Sequence, residues 1–235
     1  MQLFYGYKEG DRVMLSEDES KHAVKVLRKS VGDELNVFDG KGNLYTGRII
    51  DNHPKHCGIT LDKVEENWGA LPYSFHLAIA PTKNMDRLEW LVEKAVEIGI
   101  SRITPLLCEH SERKVLKPAR LERILLSATK QSLKGTLPQL DELTPFKEFI
   151  QQQNATPTFI GYCGEGTKTP LHMKMREHGS SVCVMIGPEG DFSPTEFEAA
   201  LKAGIQGITL GDQRMRTETA GLAAVHTAHL VHISQ

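Results

Sequence analysis

Three short segments of this 235-residue chain carry residue types suited to a ligand site. They are Tyr162-Cys163-Gly164-Glu165-Gly166, Gly187-Pro188-Glu189-Gly190-Asp191 and Gly211-Asp212-Gln213-Arg214-Met215-Arg216-Thr217-Glu218-Thr219. Each follows an apolar run of strand type, and open parallel sheets bind ligands beyond the carboxyl ends of their strands. Their glycines let backbone approach a ligand closely. Neither G-x-G-x-x-G nor G-x-x-x-x-G-K-[ST] occurs, so dinucleotide and P-loop chemistry lack their fingerprints. Taken singly, each segment also reads as an ordinary turn, because Gly and Pro punctuate most connections.

Other chemistries find less support. His226, His229 and His232 recur every three residues and spread over an arc rather than converging, and His53, His56 and Cys57 lack a fourth ligand, so no metal is expected. No G-x-S-x-G elbow is present for a Ser-His-Asp triad. Cys163 has no activating neighbour in sequence. The four cysteines are scattered without a C-x-x-C pair, as expected of reduced thiols.

Cations gather in two places. Lys83, Arg87, Lys94, Arg113, Lys114, Lys117, Arg120, Arg123, Lys130 and Lys134 form a stripe suited to phosphate neutralisation. Asp86, Glu89, Glu93 and Glu97 interleave it, so a solvated salt-bridged helix face is the competing reading. A denser patch, Lys21-His22-Ala23-Val24-Lys25-Val26-Leu27-Arg28-Lys29, contains no acid. The formal net charge of −2 hides this unevenness: residues 71–135 are net +4 and residues 136–235 net −4.

The elements that must position these groups change type near Pro72. Residues 1–70 read as a small β-rich domain. DELNVFDGKGNLYTGRIIDN alternates about an Asp39–Gly42 turn as a hairpin does, and HCGITLDKV is strand-like. A short helical segment before them puts Ala23, Val26 and Leu27 on one face. Residues 71–235 alternate strand and helix: FHLAIAP, a helix stopped by Gly99, ITPLL, a helix opened by Pro118, TFIGYC, a helical piece at His172–Glu177, VCVMIG, a helix capped by Ser193 with Glu196, GITLG and a terminal helix to Gln235. This order predicts an α/β domain with a mostly parallel sheet. Hydrophobic and charged fractions of 40% and 25% are those of a globular chain. The longest apolar runs are too short for a membrane helix and the N-terminus lacks a signal-type apolar region, so a soluble cytoplasmic protein is expected.

IGPEGDFSPTE (Ile186–Glu196) followed by LGDQRMRTETA (Leu210–Ala220) resembles the paired signature of the ribosomal small subunit methyltransferase E family. HAVKVLR (His22–Arg28) resembles that family's N-terminal PUA-like RNA-binding domain. PTKNMDRLEWLVEKAVEIGISRITPL, Ser111–Arg113 and ATKQSLKG (Ala128–Gly135) resemble the body of its catalytic domain. The resemblance implies a SPOUT-type α/β fold with a C-terminal trefoil knot, S-adenosylmethionine as methyl donor, a homodimer, and methylation of N3 of uridine 1498 in 16S rRNA of the small ribosomal subunit. Its cofactor pocket corresponds here to Tyr162, to Ile186, Gly187, Pro188, Glu189 and Gly190, and to Leu210, Gly211, Met215, Thr217 and Ala220. Two departures stand out. Gln213 occupies a usual arginine position, with Arg214 one place later, and Lys134 replaces an arginine after Gln131-Ser132.

Such a reaction needs a methyl donor held in line with the base nitrogen, an exposed uridine, and stabilisation of charge as the imide proton leaves. Arg216 and Glu218 are the candidates for that stabilisation. His22, Lys25, Arg28, Lys83, Arg87, Arg113, Arg123 and Gln131 are the candidates for gripping RNA. A non-catalytic assembly factor using the same basic surface is the alternative, and a nucleotide-dependent oxidoreductase is disfavoured by the missing fingerprint.

Overall fold

The computed structural model describes residues 1–152 and 156–233. The chain divides into two compact units, Met1–Ala70 with Leu126–Leu137, and Leu71–Leu125 with Pro138 onward. The units are therefore not consecutive pieces of sequence. Leu126–Leu137 joins the first through hydrogen bonds from Gly42 N–H to the Gly135 carbonyl (3.0 Å) and from Leu137 N–H to the Gly40 carbonyl (2.9 Å), and through the Lys130–Glu19 ion pair.

In the first unit, β1 (Leu3–Glu9) and β2 (Arg12–Leu15) pair antiparallel. Helix α1 (Glu17–Lys21) follows, then β3 (Glu34–Phe38), β4 (Leu44–Asp51), β5 (Gly58–Thr60) and β6 (Lys63–Glu65). The sheet runs β3-β1-β2-β5-β4, and β3 also pairs with β4, which closes a five-strand barrel; β6 adds to β4. The expected hairpin is β3–β4, in register from Phe38–Leu44 to Glu34–Arg48. Asp39 braces its turn, accepting from Lys41 N–H, Asn43 N–H, Asn43 Nδ2 and the Tyr45 hydroxyl. Phe4, Val13, Leu35, Val37, Ile49 and Ile59 fill the interior.

The segment carrying the basic patch differs from expectation. After α1 the chain winds into a wider turn at His22–Val26, in which Leu27 N–H reaches back five residues to the His22 carbonyl (3.0 Å). Widening changes the angle between successive side chains. Ala23 is buried and Leu27 packs against the core, but Val26 points out and is 66% exposed. The expected Ala23–Val26–Leu27 face does not form.

The second unit is a parallel sheet. It is built from β7 (Ser74–Ile79), α2 (Met85–Ile98), β8 (Arg102–Leu107), α3 (Pro118–Gln131, whose last turns belong to the first unit), β9 (Gln139–Leu140), β10 (Thr144–Pro145), α4 (Phe146–Gln152), β11 (Thr158–Gly161), β12 (Thr169–Pro170), α5 (Leu171–His178), β13 (Ser181–Ile186), α6 (Pro194–Lys202), β14 (Gln206–Thr209) and α7 (Thr217–Ile233). The strand order is β10-β8-β7-β13-β11-β14-β12, β9 also pairs with β8, and every pairing is parallel. The short elements β9, β10, α4 and β12 have no periodic sequence signal of their own. Ser234 and Gln235, expected to end the last helix, lie outside the described residues.

Local chemistry explains the boundaries. Asn84 caps α2 by accepting from Asp86 N–H, and Gly99 ends it at φ 130°. Ser193 and Glu196 form the reciprocal capping box of α6, with Pro194 at its first position. In β7 and β13 all residues after the first serine are buried, as expected of strands covered on both faces. Helix α7 is apolar on several sides because it packs within this unit against α2, α5, β7 and β13.

Candidate active site

Register brings the three glycine-bearing loops together. Ile186 of β13 pairs with both Ile79 of β7 and Gly161 of β11, and Gly161 pairs in turn with Ile208 of β14. The carboxyl ends of these strands are therefore level, and the loops that leave them share one edge of the sheet. Between the loops lies a cavity of about 620 Å³. Its walls include Tyr162, Ile186, Gly187, Pro188, Glu189, Gly190, Leu210, Gly211, Met215, Thr217 and Ala220, all the positions expected to line a cofactor pocket, together with Arg216.

Hydrogen bonds hold the loops in place. In the β13 loop, Asp191 N–H closes a turn on the Pro188 carbonyl (2.9 Å). The buried Thr217 hydroxyl donates to the Gly187 carbonyl (3.1 Å), joining that loop to the start of α7. Glu189 accepts from Lys83 N–H (2.9 Å), fastening it to the loop after β7. The Thr209 hydroxyl donates to the Gly211 carbonyl (3.0 Å) and accepts from Gly211 N–H (3.2 Å), while Gly211 sits at φ 133°, where a side chain is strained. At Gly190 a Cβ would come within 3.1 Å of His110 Cβ, so the neighbour that a side chain there meets is His110.

The two residues expected to handle charge part company. Arg216 is an exposed part of the cavity wall, and among the described residues no carboxylate lies within ion-pair distance of it. Glu218 does not line the cavity. It is 6% exposed on the first turn of α7, with Oε1 3.7 Å from Nε of Arg87 on α2 and Oε2 buried without a hydrogen-bond partner. An Arg216–Glu218 pair is absent among the described residues; Glu218 faces Arg87 instead.

The sequence reading names Cys163 and Asp191 within the three loops but gives neither a place in the cofactor pocket, and it misses Lys168 altogether. Burial, and then the nearby Asp191 carboxylate, push the Cys163 thiol up, so it stays protonated at neutral pH and is a poor nucleophile. The signal for Lys168 was only its place seven residues beyond β11. The stacking of Tyr162 on Phe197, centroids 4.2 Å apart, is a tertiary contact with no sequence signature.

The expected RNA-gripping residues fall in both units. In the first, Lys25 and Arg28 are exposed, Arg28 with a φ of 55°, and His22 is half-exposed with Nδ1 4.0 Å from Glu19. Gln131 is exposed at the end of α3. In the second, Lys83 pairs with Glu112 at 2.7 Å and Arg87 with Glu218. Arg123 is exposed, with Nε donating to the Ala119 carbonyl of its own helix. Arg113 is structural, since its guanidinium donates to the carbonyls of Thr82 and Lys83 and so braces the loop after β7. The bracing is invisible in sequence because its acceptors are backbone. Among the described residues no group of three or more His, Cys, Asp or Glu could hold a metal ion, and no helix is long and apolar enough to cross a membrane.

Comparison with known proteins agrees with this geometry. Residues 70–229 match the family described as an RNA methyltransferase domain, and residues 15–61 match the RNA methyltransferase PUA domain. The chain is 32% identical to the ribosomal RNA small subunit methyltransferase E of Buchnera aphidicola, covering 88% of this chain and 84% of that one. It is likewise 32% identical to the enzyme of that name from Mesomycoplasma hyopneumoniae, covering 94% and 96%. A crystal structure of a probable rRNA-methyltransferase from Porphyromonas gingivalis superposes with a TM-score of 0.88 at 38% identity, covering 100% and 99%. That of a ribosomal RNA small subunit methyltransferase E from Neisseria gonorrhoeae, bound to S-adenosyl methionine, superposes with a TM-score of 0.82 at 27% identity, covering 96% and 95%. With its barrel and parallel-sheet units, its level loops and these relatives, the chain belongs to the ribosomal RNA small subunit methyltransferase E family of RNA methyltransferases.

Proposed function

We propose that this protein transfers a methyl group from S-adenosylmethionine to N3 of uridine 1498 in 16S rRNA of the small ribosomal subunit. The observation that carries the reading is the cavity at the level strand ends, walled by three glycine-bearing loops and bordered by the Arg216 guanidinium. Its volume lies within the range of about 300–1,000 Å³ typical of small-ligand sites. Ile186, Ile208 and Leu210 offer apolar surface for a purine, and the backbone of Gly187, Gly190 and Gly211 leaves room for a close approach, so the residues present fit this donor. When bound, S-adenosylmethionine supplies an electrophilic methylsulfonium.

The chain's own contribution is orientation and charge. Uridine becomes nucleophilic at N3 only as its imide proton passes to solvent water, which leaves negative charge shared with the two flanking carbonyl oxygens. The Arg216 guanidinium presents a planar fork of donors, so it favours that charge distribution over the neutral base. Glu218 acts through Arg87 rather than on Arg216. Lys25 and Arg28, with His22, grip RNA phosphates in the first unit; Lys83, Arg87, Arg123 and Gln131 are further contacts. The same reading includes a C-terminal knot, a homodimer formed through α7 and work in the cytoplasm, where ribosomes are made.

The deciding experiment mixes purified protein with labelled methyl donor and small subunits lacking the modification. Label recovered in 16S rRNA at that uridine supports the reading. RNA binding without transfer points to the assembly factor instead.

A further inference from the structure

We propose that Asp191 and Lys168 are positioning residues that lock the loop after β11 into the shape of a cofactor-cavity wall. This rests on the methyltransferase reading above, although the lock itself is a property of the free protein. The loop Tyr162–Gly166 has no regular secondary structure, so its backbone groups need partners from elsewhere. Two charged side chains provide them from opposite directions. The Asp191 carboxylate accepts from Cys163 N–H at 2.8 Å through Oδ2, and from Phe192 N–H at 2.8 Å through Oδ1. The Lys168 ammonium donates to the carbonyls of Tyr162 (3.1 Å) and Gly164. Both side chains line the cavity, yet their polar atoms are turned onto protein backbone.

Asp191 is held in an unusual conformation to make these contacts. Its φ of 62° lies in the left-handed region that glycine tolerates best and Asp or Asn next. The His110 ring closes over the same turn: its Nδ1 lies 3.0 Å from the carbonyls of both Gly190 and Asp191, so that nitrogen carries the proton and donates. The β13 loop is thereby pinned to the β8 loop on one side and, through Asp191, to the β11 loop on the other. The loop so held presents Tyr162, whose ring stacks on Phe197 with Lys168 Nζ 6.0 Å from its centroid. Release of either lock lets Tyr162 leave the wall without touching the reacting groups.

The substitutions separate charge from backbone shape. Asp191→Asn keeps a residue that tolerates φ 62° but sets an amide donor against one of two N–H groups. Asp191→Gly keeps the turn and removes the carboxylate. Lys168→Met removes the donor, and Lys168→Arg restores donors to the same carbonyls. Each variant is titrated calorimetrically with S-adenosylmethionine, and Cys163 alkylation by iodoacetamide is followed against pH in the free protein. The other three cysteines are buried, so labelling reports on Cys163.

Asp191→Asn, Asp191→Gly and Lys168→Met should each weaken donor binding roughly tenfold, the scale of leaving a backbone group without its charged partner. Lys168→Arg should stay within about threefold of wild type. Combining Asp191→Asn with Lys168→Met should cost little more than either alone, because both act on one loop. Alkylation should become faster at neutral pH in Asp191→Asn, since the carboxylate that disfavours the thiolate is gone. Wild-type donor affinity in the folded single variants overturns the proposal, as does an unchanged alkylation profile in Asp191→Asn. If wild-type protein binds no S-adenosylmethionine, the functional reading fails, and the alkylation profile alone decides the lock.

Discussion

Arg216→Ala should abolish most chemistry while leaving the protein folded and its ligands bound. The guanidinium is exposed on the cavity wall, and no carboxylate among the described residues pairs with it. Its loss therefore leaves no buried partner unsatisfied, and stability should change by no more than about 0.5 kcal/mol. Catalytic loss is a different matter under the proposed role, in which this donor meets the charge that develops on the base. Removing one such donor typically costs about 10²–10³ in rate, or about 2.7–4 kcal/mol. Arg216→Lys keeps the charge but loses the fork that meets two oxygens, so its rate should fall between wild type and Arg216→Ala. The assay is single-turnover methyl transfer with donor and RNA both saturating, which isolates the chemical step from binding. Wild-type turnover by folded Arg216→Ala refutes the role. A stability loss above about 1 kcal/mol would also refute the reasoning, by showing that Arg216 braces the loop.

Gly211→Val should weaken S-adenosylmethionine binding at least tenfold by calorimetry while costing about 1 kcal/mol of stability, because φ is 133° there but its Cβ would meet nothing within 4 Å; equal losses in Tm and affinity would contradict this. Gly190 does not lie in the left-handed region, so Gly190→Val should lower Tm through its 3.1 Å approach to the His110 Cβ rather than through backbone strain. Converting both Lys25 and Arg28 to Glu should weaken rRNA binding and flatten its salt dependence, with donor affinity unchanged; an unaltered salt slope assigns the patch to solvent. His76 is buried and donates to Thr104 Oγ1 (2.7 Å), whose hydroxyl donates to Asp141. Burial, and then the Arg102 charge, push its imidazole down from 6.5 to about 4. The unfolded chain then binds a proton that the folded one does not, so stability is full above pH 6.5 and falls as pH drops toward 4, by about 3 kcal/mol. Denaturant titrations should show that slope in wild type and lose it in His76→Gln.

The local elements were legible because their causes are local. Ser193, Pro194 and Glu196 announce α6, Asn84 and Gly99 bound α2, the alternation about Asp39 marks the β3–β4 hairpin, and the strand–helix rhythm after Pro72 dictates a parallel sheet. The three glycine-bearing loops were legible for the same reason, since each follows a readable strand. Their convergence was not, because strand order β7-β13-β11-β14 and the level register of Ile79, Ile186, Gly161 and Ile208 are set by pairings between residues far apart in sequence. The grouping of Leu126–Leu137 with the barrel is equally non-local. Partner choice was also decided in three dimensions. Arg216 and Glu218 are two residues apart, yet the first turn of α7 buries Glu218 toward Arg87 on another helix and leaves Arg216 facing the cavity. Arg113 and Lys168 donate to backbone carbonyls and Asp191 accepts from a backbone N–H, and a backbone group carries no residue name for sequence reading to find. Residue type and spacing therefore determine which groups are available, while the packing of distant segments decides which of them remain free to meet a ligand.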